Sequence, residues 1–598
     1  MSDLGVAGGP VPGAAAGAAQ DVIVAHRPSA TSMFLGQARY AEREFWRTPV
    51  AAFFTLVFPL SFMVILSAIY GNEVIDESTG LRLAQYTTPV FAVFGAAMAC
   101  FVQLGIALAY ARATGVLKRL SGTPLPPAVH VAGRIGSAIV LSALAVLIMV
   151  AVGVVLYDVQ IIWENVPALV LTFIVGTACF SALGLAVASV APTPNAATAF
   201  CNASLILLSF ISGIFGVGDL PHWMDTLAGV FPLKPFVESF SDGFNPYIDA
   251  ATPAWGNLAV MAAWGIVGAL IVWRAFGLEP RSGQIMARAR VRGRHAAVLE
   301  PVEEFGPEGA GRETGPGVGE ARPPVAVEAR PSGPDEVTEP GAPGVGAIVS
   351  GQVRYSIQQM VRDPMSLFFS VIFPVLLVTF FSSIYGDEAQ WGGLPLAQYL
   401  AAAFAVYGLA TAGLVNLPGT IAEQRSKRIL ARLRGTPLPP WAYIAGRILA
   451  NLGTGLATVV IVFAAAVVLF DATLPPSTWA ATLLTYVLAI GCFATCGLAV
   501  ATFVEGNQAV VAVGLSILLP LSFISDIFIQ VDQMPDVLDA IGWFFPLRHA
   551  VNAAVTATSG GALDATFWGH LAVVLLWGVA AALAAWRWFR WEPRQSAD

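Results

Sequence analysis

RLSGTPLPP, Arg119 to Pro127, returns as RLRGTPLPP, Arg432 to Pro440, and both copies run on to Gly133-Arg134-Ile135 and Gly446-Arg447-Ile448. The chain is an internal duplication. Each copy lies between two long apolar runs, carries a cluster of Arg and Lys, and closes on prolines that stop one helix before the next begins. A basic, proline-terminated connector of this kind has the shape of a cytoplasmic loop between two membrane spans.

Composition agrees. Of 598 residues, 56% are hydrophobic and 12% charged, which is more apolar surface than a soluble fold of this size needs to bury. A span takes roughly 20 apolar residues, and six such runs can be laid out in each half, so helices are expected and a β-barrel is not. In the first half they cover approximately 50–70, 86–111, 129–157, 167–190, 196–217 and 255–276. The expected fold is an all-α integral membrane protein with twelve transmembrane helices, arranged as two parallel six-helix repeats. The net charge is −7, but the acidic excess gathers in the linker and in alternate loops, so no nucleic-acid partner is implied. The cysteines, Cys100, Cys179, Cys201, Cys492 and Cys496, all sit in apolar runs without the spacing of a zinc site, so neither disulfides nor a metal are expected. Cys492 and Cys496 share a helix face and are read as small packing residues.

In chain order, residues 1–30 are rich in Ala, Gly and Pro and are expected to form a disordered cytoplasmic tail. Residues 31–280 form the first six-span domain. It opens with a helical pattern that puts Phe34, Ala38, Ala41 and Phe45 on one face, fitting a helix on the inner membrane surface. Residues 281–346 turn to Pro, Gly, Glu and Arg without periodicity and are read as a flexible cytoplasmic linker, and 347–598 form the second six-span domain. Loops alternate in charge. Arg39, Arg43 and Arg47, then Arg112, Lys118, Arg119 and Arg134, then Arg274 and Arg281 to Arg294 fall on one side; Glu73, Asp76, Asp158, Glu164, Asp225, Glu238 and Asp242 fall on the other. The positive-inside rule then makes both termini cytoplasmic. The second half repeats the first at an offset of 315 and then 313: Phe58-Pro59 recurs as Phe373-Pro374, and the Gly-Leu-Ala-Val-Ala at Gly184 recurs at Gly497.

The connectors carry a further pattern. RATGVLKRLSGTPLPPAVHVAGRI (112–135) and EQRSKRILARLRGTPLPPWAYIAGRI (423–448) resemble the coupling loop of type-2 ATP-binding cassette (ABC) permeases, the exporter class that includes many bacterial antibiotic exporters. The resemblance takes in both halves: the surface helix, the Phe-Pro inside the first span, and the outer Phe231-Pro232-Leu233-Lys234 and Phe545-Pro546-Leu547-Arg548. It implies that the loop helix enters a groove on an ATPase subunit and transmits its closure. Arg112, Lys118, Arg119, Gly122, Thr123 and Pro124, with Glu423, Arg425, Arg432, Arg434, Gly435, Thr436 and Pro437, are then expected to meet two copies of that separate subunit. The family places an acidic residue ahead of a glycine here. This chain has Ala113 before Gly115 in one copy, and Ser426 and Arg428 in the other, with Glu423 a turn earlier.

No GxxxxGK[ST] loop occurs, so ATP and Mg belong to the partner and this chain carries no cofactor of its own. Neither a nucleophile elbow nor HExxH is present, and no enzyme is expected. By the same resemblance the cargo path runs between the halves along the second and fifth spans. Its candidates are Gln103, Asn202, Ser209, Phe210 and Ser212 in one half and Asn416, Ser516, Ser522, Phe523 and Asp526 in the other. Apolar walls with few polar groups suit a small hydrophobic or amphiphilic guest, though Ser and Asn in spans also glue helices together. Asp526 stands where the first half has Gly213, and either pairing with Arg548 or contact with cargo would account for it. Phe231, Lys234, Phe545 and Arg548 are candidates for an outer gate, with Lys234 and Arg548 expected to snorkel to the lipid interface.

The expected function is thus the permease subunit of an ABC exporter in a bacterial cytoplasmic (inner) membrane, moving an antibiotic or drug-like compound, or alternatively a lipid or glycan-lipid. A proton-coupled carrier of the major facilitator type would need relay carboxylates deep in its spans, and almost none are there. A membrane sensor that binds an ATPase without transporting is the remaining alternative.

Overall fold

A computed structural model describes residues 29–69, 72, 74–76, 80–123, 125–215, 221–248, 250–275, 345–361, 367–386, 390–435, 440–504, 506–528 and 534–588. Almost all of the expected tail and of the expected linker, Arg281 to Arg294, Pro124, Thr436 and Pro437 lie outside these residues.

The first half begins with the surface helix Ala30–Trp46, followed by a first span built from Pro49–Ala52, Phe53–Val57 and Phe58–Ile69. A small hairpin, Val74–Asp76 with Leu81–Arg82, leads into the second span, Leu83–Ala97, Met98–Gln103 and Leu104–Ala113. The loop helix Val116–Ser121 precedes the third span, Pro127–Tyr157, the fourth, Val166–Val190, and the fifth, Pro194–Ile211. Two shorter helices, His222–Val230 and Leu233–Asp242, come before the sixth span, Trp255–Ala275. The second half repeats this order from Val345–Val361 to Ala565–Trp588. Among the described residues ten helices are long and apolar enough to cross a membrane, and the shorter apolar helices Phe53–Ala68 and Ala509–Phe523 complete six in each half. The protein is an all-α membrane protein of two repeated six-helix units.

Burial ranks the helices. The second span is the core of each half, with 83% and 89% of its apolar stretch buried, whereas the sixth span of the first half is only 17% buried. Exposed Leu147, Val155, Trp273 and Val468 on the peripheral helices are the surface a lipid phase would cover.

Proline and glycine set the close contacts of that core. Pro59 and Pro374 lack an N–H, so the carbonyls of Thr55 and Ser370, four residues earlier, lose their helical partners, and the preceding turns Phe53–Val57 and Phe368–Ile372 widen to π geometry. The second spans carry matching π segments, Met98–Gln103 and Ala412–Asn416. Against these lie Gly184 and Gly497, the first residues of the repeated Gly-Leu-Ala-Val-Ala. A Cβ at Gly184 would stand 2.7 Å from the Phe101 carbonyl oxygen, and one at Gly497 would collide with that of Gly413. Small residues allow such backbone approach where lipid supplies no hydrophobic drive.

Gly497→Ala should lower thermal stability in detergent by about 1–3 kcal/mol through overpacking. Gly491→Ala, on the same helix with nothing within 4 Å of its would-be Cβ, should be neutral or stabilising.

Candidate functional site

The two loops start from the ends of the second spans. Gly115, at φ +72°, opens the loop helix of the first half, and Arg428, at φ +55°, opens its counterpart Ile429–Arg434. Both copies use the same left-handed turn, and the second forces it on a residue with a Cβ. Lys118, Arg119, Gly122 and Thr123 are exposed, as are Arg432 and Gly435, while Leu117 and Leu430 are buried beneath them. Each loop therefore offers a basic outer face on an apolar footing.

Arg112 and Arg425 are not part of that face, which corrects the expectation that they meet a partner. Both are buried. Arg112 donates from Nη1 to the Ser189 carbonyl at 2.9 Å and from Nη2 to that of Ala191; Arg425 Nη2 donates to the carbonyls of Ala501 at 2.7 Å and Val504 at 3.0 Å. These carbonyls end the fourth spans, where a helix leaves acceptors unmet and favours a cation. The two arginines pin the loop end of the second span to the fourth.

The repeated Gly-Arg-Ile forms a second joint. A Cβ at Gly133 or Gly446 would fall 2.5 Å from Cβ of Gln37 or Gln352, so both glycines seat the surface helix on the third span. Arg134 then donates to Glu44 Oε2 at 2.9 Å, and Arg447 to Gln359 Oε1 at 3.1 Å, with Tyr355 and Tyr443 rings beside its guanidinium at 5.8 and 5.4 Å.

Between the halves lies a cavity of about 360 Å³. At its loop end stand Thr48, Tyr110, Asn195 and Glu423, and its walls are dominated by rings including Phe54, Phe58, Phe94, Phe369, Phe373 and Tyr407. Its far end is closed by aromatic contacts that cross from one half to the other. Phe62 meets Phe523 edge-on with ring centres 4.0 Å apart, and Phe210 meets Phe380 at 5.1 Å and Phe373 at 6.1 Å.

Of the expected path residues, Gln103, Asn202, Phe210, Asn416 and Phe523 line this cavity, and Ser209, Ser212, Ser516, Ser522 and Asp526 do not. Ser209 and Ser522 are buried and donate at 2.6 Å to carbonyls of their own helices, Leu205 and Leu518. Glu423, expected on the loop, lines the cavity instead and also pairs with Lys427 at 2.5 Å.

Asp526 sits at φ +58°, the turn that Gly213 makes at +74°, and is buried. Its Oδ2 accepts from Arg548 Nε at 2.9 Å, and Arg548 Nη1 reaches Asp539 Oδ1 at 2.5 Å. Lys234 likewise is buried against Asp225, with Glu238 at 3.4 Å. Neither cation snorkels: each clamps the two short helices that fold back between the fifth and sixth spans. Phe231 and Phe545 do not gate the cavity. They stack on Trp264 and Trp577 of the sixth spans at 5.8 and 5.6 Å.

Gln85 and Gln398 escaped sequence reading. Gln85 Nε2 donates to the carbonyls of Gln160 at 2.9 Å and Phe244 at 2.6 Å, and Gln398 Nε2 to that of Thr558 at 2.6 Å, tying the second span to the end of the folded-back helices. The signal was present, since Leu-Ala-Gln-Tyr recurs at Leu83 and Leu396.

Arg112→Ala and Arg425→Ala should each cost about 2–3 kcal/mol, the loss of charged hydrogen bonds to buried carbonyls. Arg119→Ala and Arg432→Ala should stay within ~0.5 kcal/mol in the same thermal assay. Arg548→Ala should cost about 3–5 kcal/mol by stranding Asp526, and adding Asp526→Asn should recover part of the loss.

The ABC-2 type transporter family model matches residues 38–245 and 352–558. A relative, the provisionally named transport permease YvfS of Bacillus subtilis (strain 168), is 20% identical over 220 residues. That alignment spans 36% of this chain and 86% of the relative. With the family's membrane domain matched once in each six-helix unit, the chain belongs to the ABC-2 type transporter family, as a permease with two such units in one chain.

Proposed function

We propose that this permease exports a hydrophobic or amphiphilic compound, antibiotic or drug-like, across a bacterial cytoplasmic membrane, driven by two copies of a separate ABC ATPase that holds ATP and Mg. The observation that carries this reading is the cavity between the halves, which reaches from the loop end to a cross-half aromatic closure. Loops and termini face the cytoplasm in this scheme. Closure of the ATPase pair presses on Val116–Ser121 and Ile429–Arg434, and the buried Arg112 and Arg425 pass that movement to the second and fourth spans. The second span lines the cavity together with the first and fifth. Rigid displacement of one half against the other then opens the rings at the far end.

Co-expression with a candidate ATPase and purification through this chain tests the partner. The intact chain should recover two ATPase copies, and Lys118→Glu/Arg119→Glu/Arg432→Glu should weaken recovery about tenfold or more by placing like charges at the contact. Folded chain that recovers no ATPase in either form would overturn the coupling. ATP-dependent accumulation of an amphiphilic dye in inside-out vesicles should follow complex formation, and a stable complex without accumulation would favour a sensor.

A further inference from the structure

Six of the cavity's polar side chains turn a hydrogen away from it. Thr48, Thr198, Thr411 and Thr420 spend their single hydroxyl hydrogens on the carbonyls of Glu44, Pro194, Tyr407 and Asn416, at 2.9–3.0 Å. Asn202 turns its Nδ2 to the Thr198 carbonyl at 2.8 Å, and Asn416 turns its Nδ2 to Ser370 Oγ at 2.8 Å. Each threonine is left with oxygen lone pairs for a guest, and each asparagine with its carbonyl oxygen and one remaining amide hydrogen. Glu423 adds a carboxylate, and none of the lining residues is Lys or Arg. The remaining wall is largely aromatic, with ring faces that carry negative charge density. The charged and quadrupolar features of this lining favour a positive charge, while Gln103, Asn195, Tyr110 and Tyr407 add neutral groups that can also donate.

The halves have also diverged. Thr198 and Asn202 of the first fifth span correspond, 313 positions on, to Val511 and Leu515, and all four line the cavity. Tyr110 corresponds to Glu423. Of the two fifth spans one is therefore polar and the other aliphatic towards the cavity, and the loop-side mouth holds a single carboxylate.

On the transport reading above, we propose that the cavity selects aromatic amphiphiles carrying one positive charge. Their rings lie among the phenylalanines at the far end, and their cationic group lies towards Glu423 and the polar fifth span of the first half. Glu423 already meets Lys427, but that pair is an i,i+4 contact whose lysine side chain is 62% exposed, and such pairs are weak. A cation desolvated between rings and carboxylate competes with it. A cavity of about 360 Å³ falls within the range that holds a compact polycyclic ligand.

The test is equilibrium binding to the purified full chain in detergent, without any ATPase, of tetraphenylphosphonium and the near-isosteric anion tetraphenylborate, with binding to empty micelles subtracted. The cation should bind at least about tenfold more tightly. Glu423→Gln should remove most of that preference, whereas Lys427→Gln, which frees the carboxylate, should strengthen cation binding. Thr198→Val/Asn202→Leu, which copies the second half's residues onto the first, should weaken it several-fold, and Val511→Thr/Leu515→Asn should not. Equal binding of the two ions, or parallel loss in Glu423→Gln and Lys427→Gln, would overturn the proposal. So would absence of binding by both ions to a chain that still recovers its ATPase, and that result would leave the transport reading standing.

Discussion

A backbone buried in lipid must satisfy its own polar groups, and helices there gain nothing from expelling water. Both demands converge on the second span of each half, buried over more than four-fifths of its apolar stretch. Its π segments bring carbonyls up to Gly184 and Gly497, while Pro59 and Pro374 widen the first spans facing it. The cavity depends on this arrangement. Phe54, Phe58 and Phe94 line it, with the Phe58 and Phe94 rings of the first and second spans meeting at 6.0 Å.

Fusion of the halves gives this constraint a freedom that two identical subunits lack. In a symmetric pair every substitution appears twice, so a carboxylate at the position of Glu423 would face its own copy. Here its counterpart is Tyr110, which stands at the same loop end of the cavity. Asp526 also exists in one copy. It occupies a left-handed turn that Asp tolerates better than most residues, and Arg548 compensates its burial. Arg428 takes the equivalent of Gly115 without such compensation from its backbone, at a cost of roughly 1 kcal/mol.

The architecture was legible because its determinants are periodic or repeated. Span lengths followed from hydropathy, and their number in each half from the duplication of Arg119–Pro127 in Arg432–Pro440. Side-chain roles were less legible, since sequence reports a residue's type and not the direction it points. Arg112 and Arg119 look equivalent in a basic loop, yet one is buried at a helix end and the other exposed. Lys234 read as a residue at the lipid interface because its partner, Asp225, lies nine residues away on a helix that hydropathy placed in a loop. Phe53, Phe54 and Phe58 recurred as Phe368, Phe369 and Phe373, but the crossing contacts Phe62–Phe523 and Phe210–Phe380 use Phe62 and Phe380, whose counterparts are Leu377 and Ile65, so repetition did not point to them.

Those placements also order the path along which force could travel. Each loop helix rests on buried Leu117 or Leu430, and each adjoining Arg is locked to the end of the fourth span. The surface helix is separately locked to the third span through Arg134 and Arg447. A push on the loop is thus delivered to the second, third and fourth spans together rather than dissipated in a flexible connector. The sixth span, mostly exposed, packs chiefly on the fourth and would follow it. What lies across the seam is the weaker element. Ring pairs such as Phe62–Phe523 contribute about 0.5–1.5 kcal/mol each beyond their burial and have no directional bond to break. Rigid halves joined by a soft aromatic closure concentrate displacement at the far end of the cavity, which is where a passage has to open.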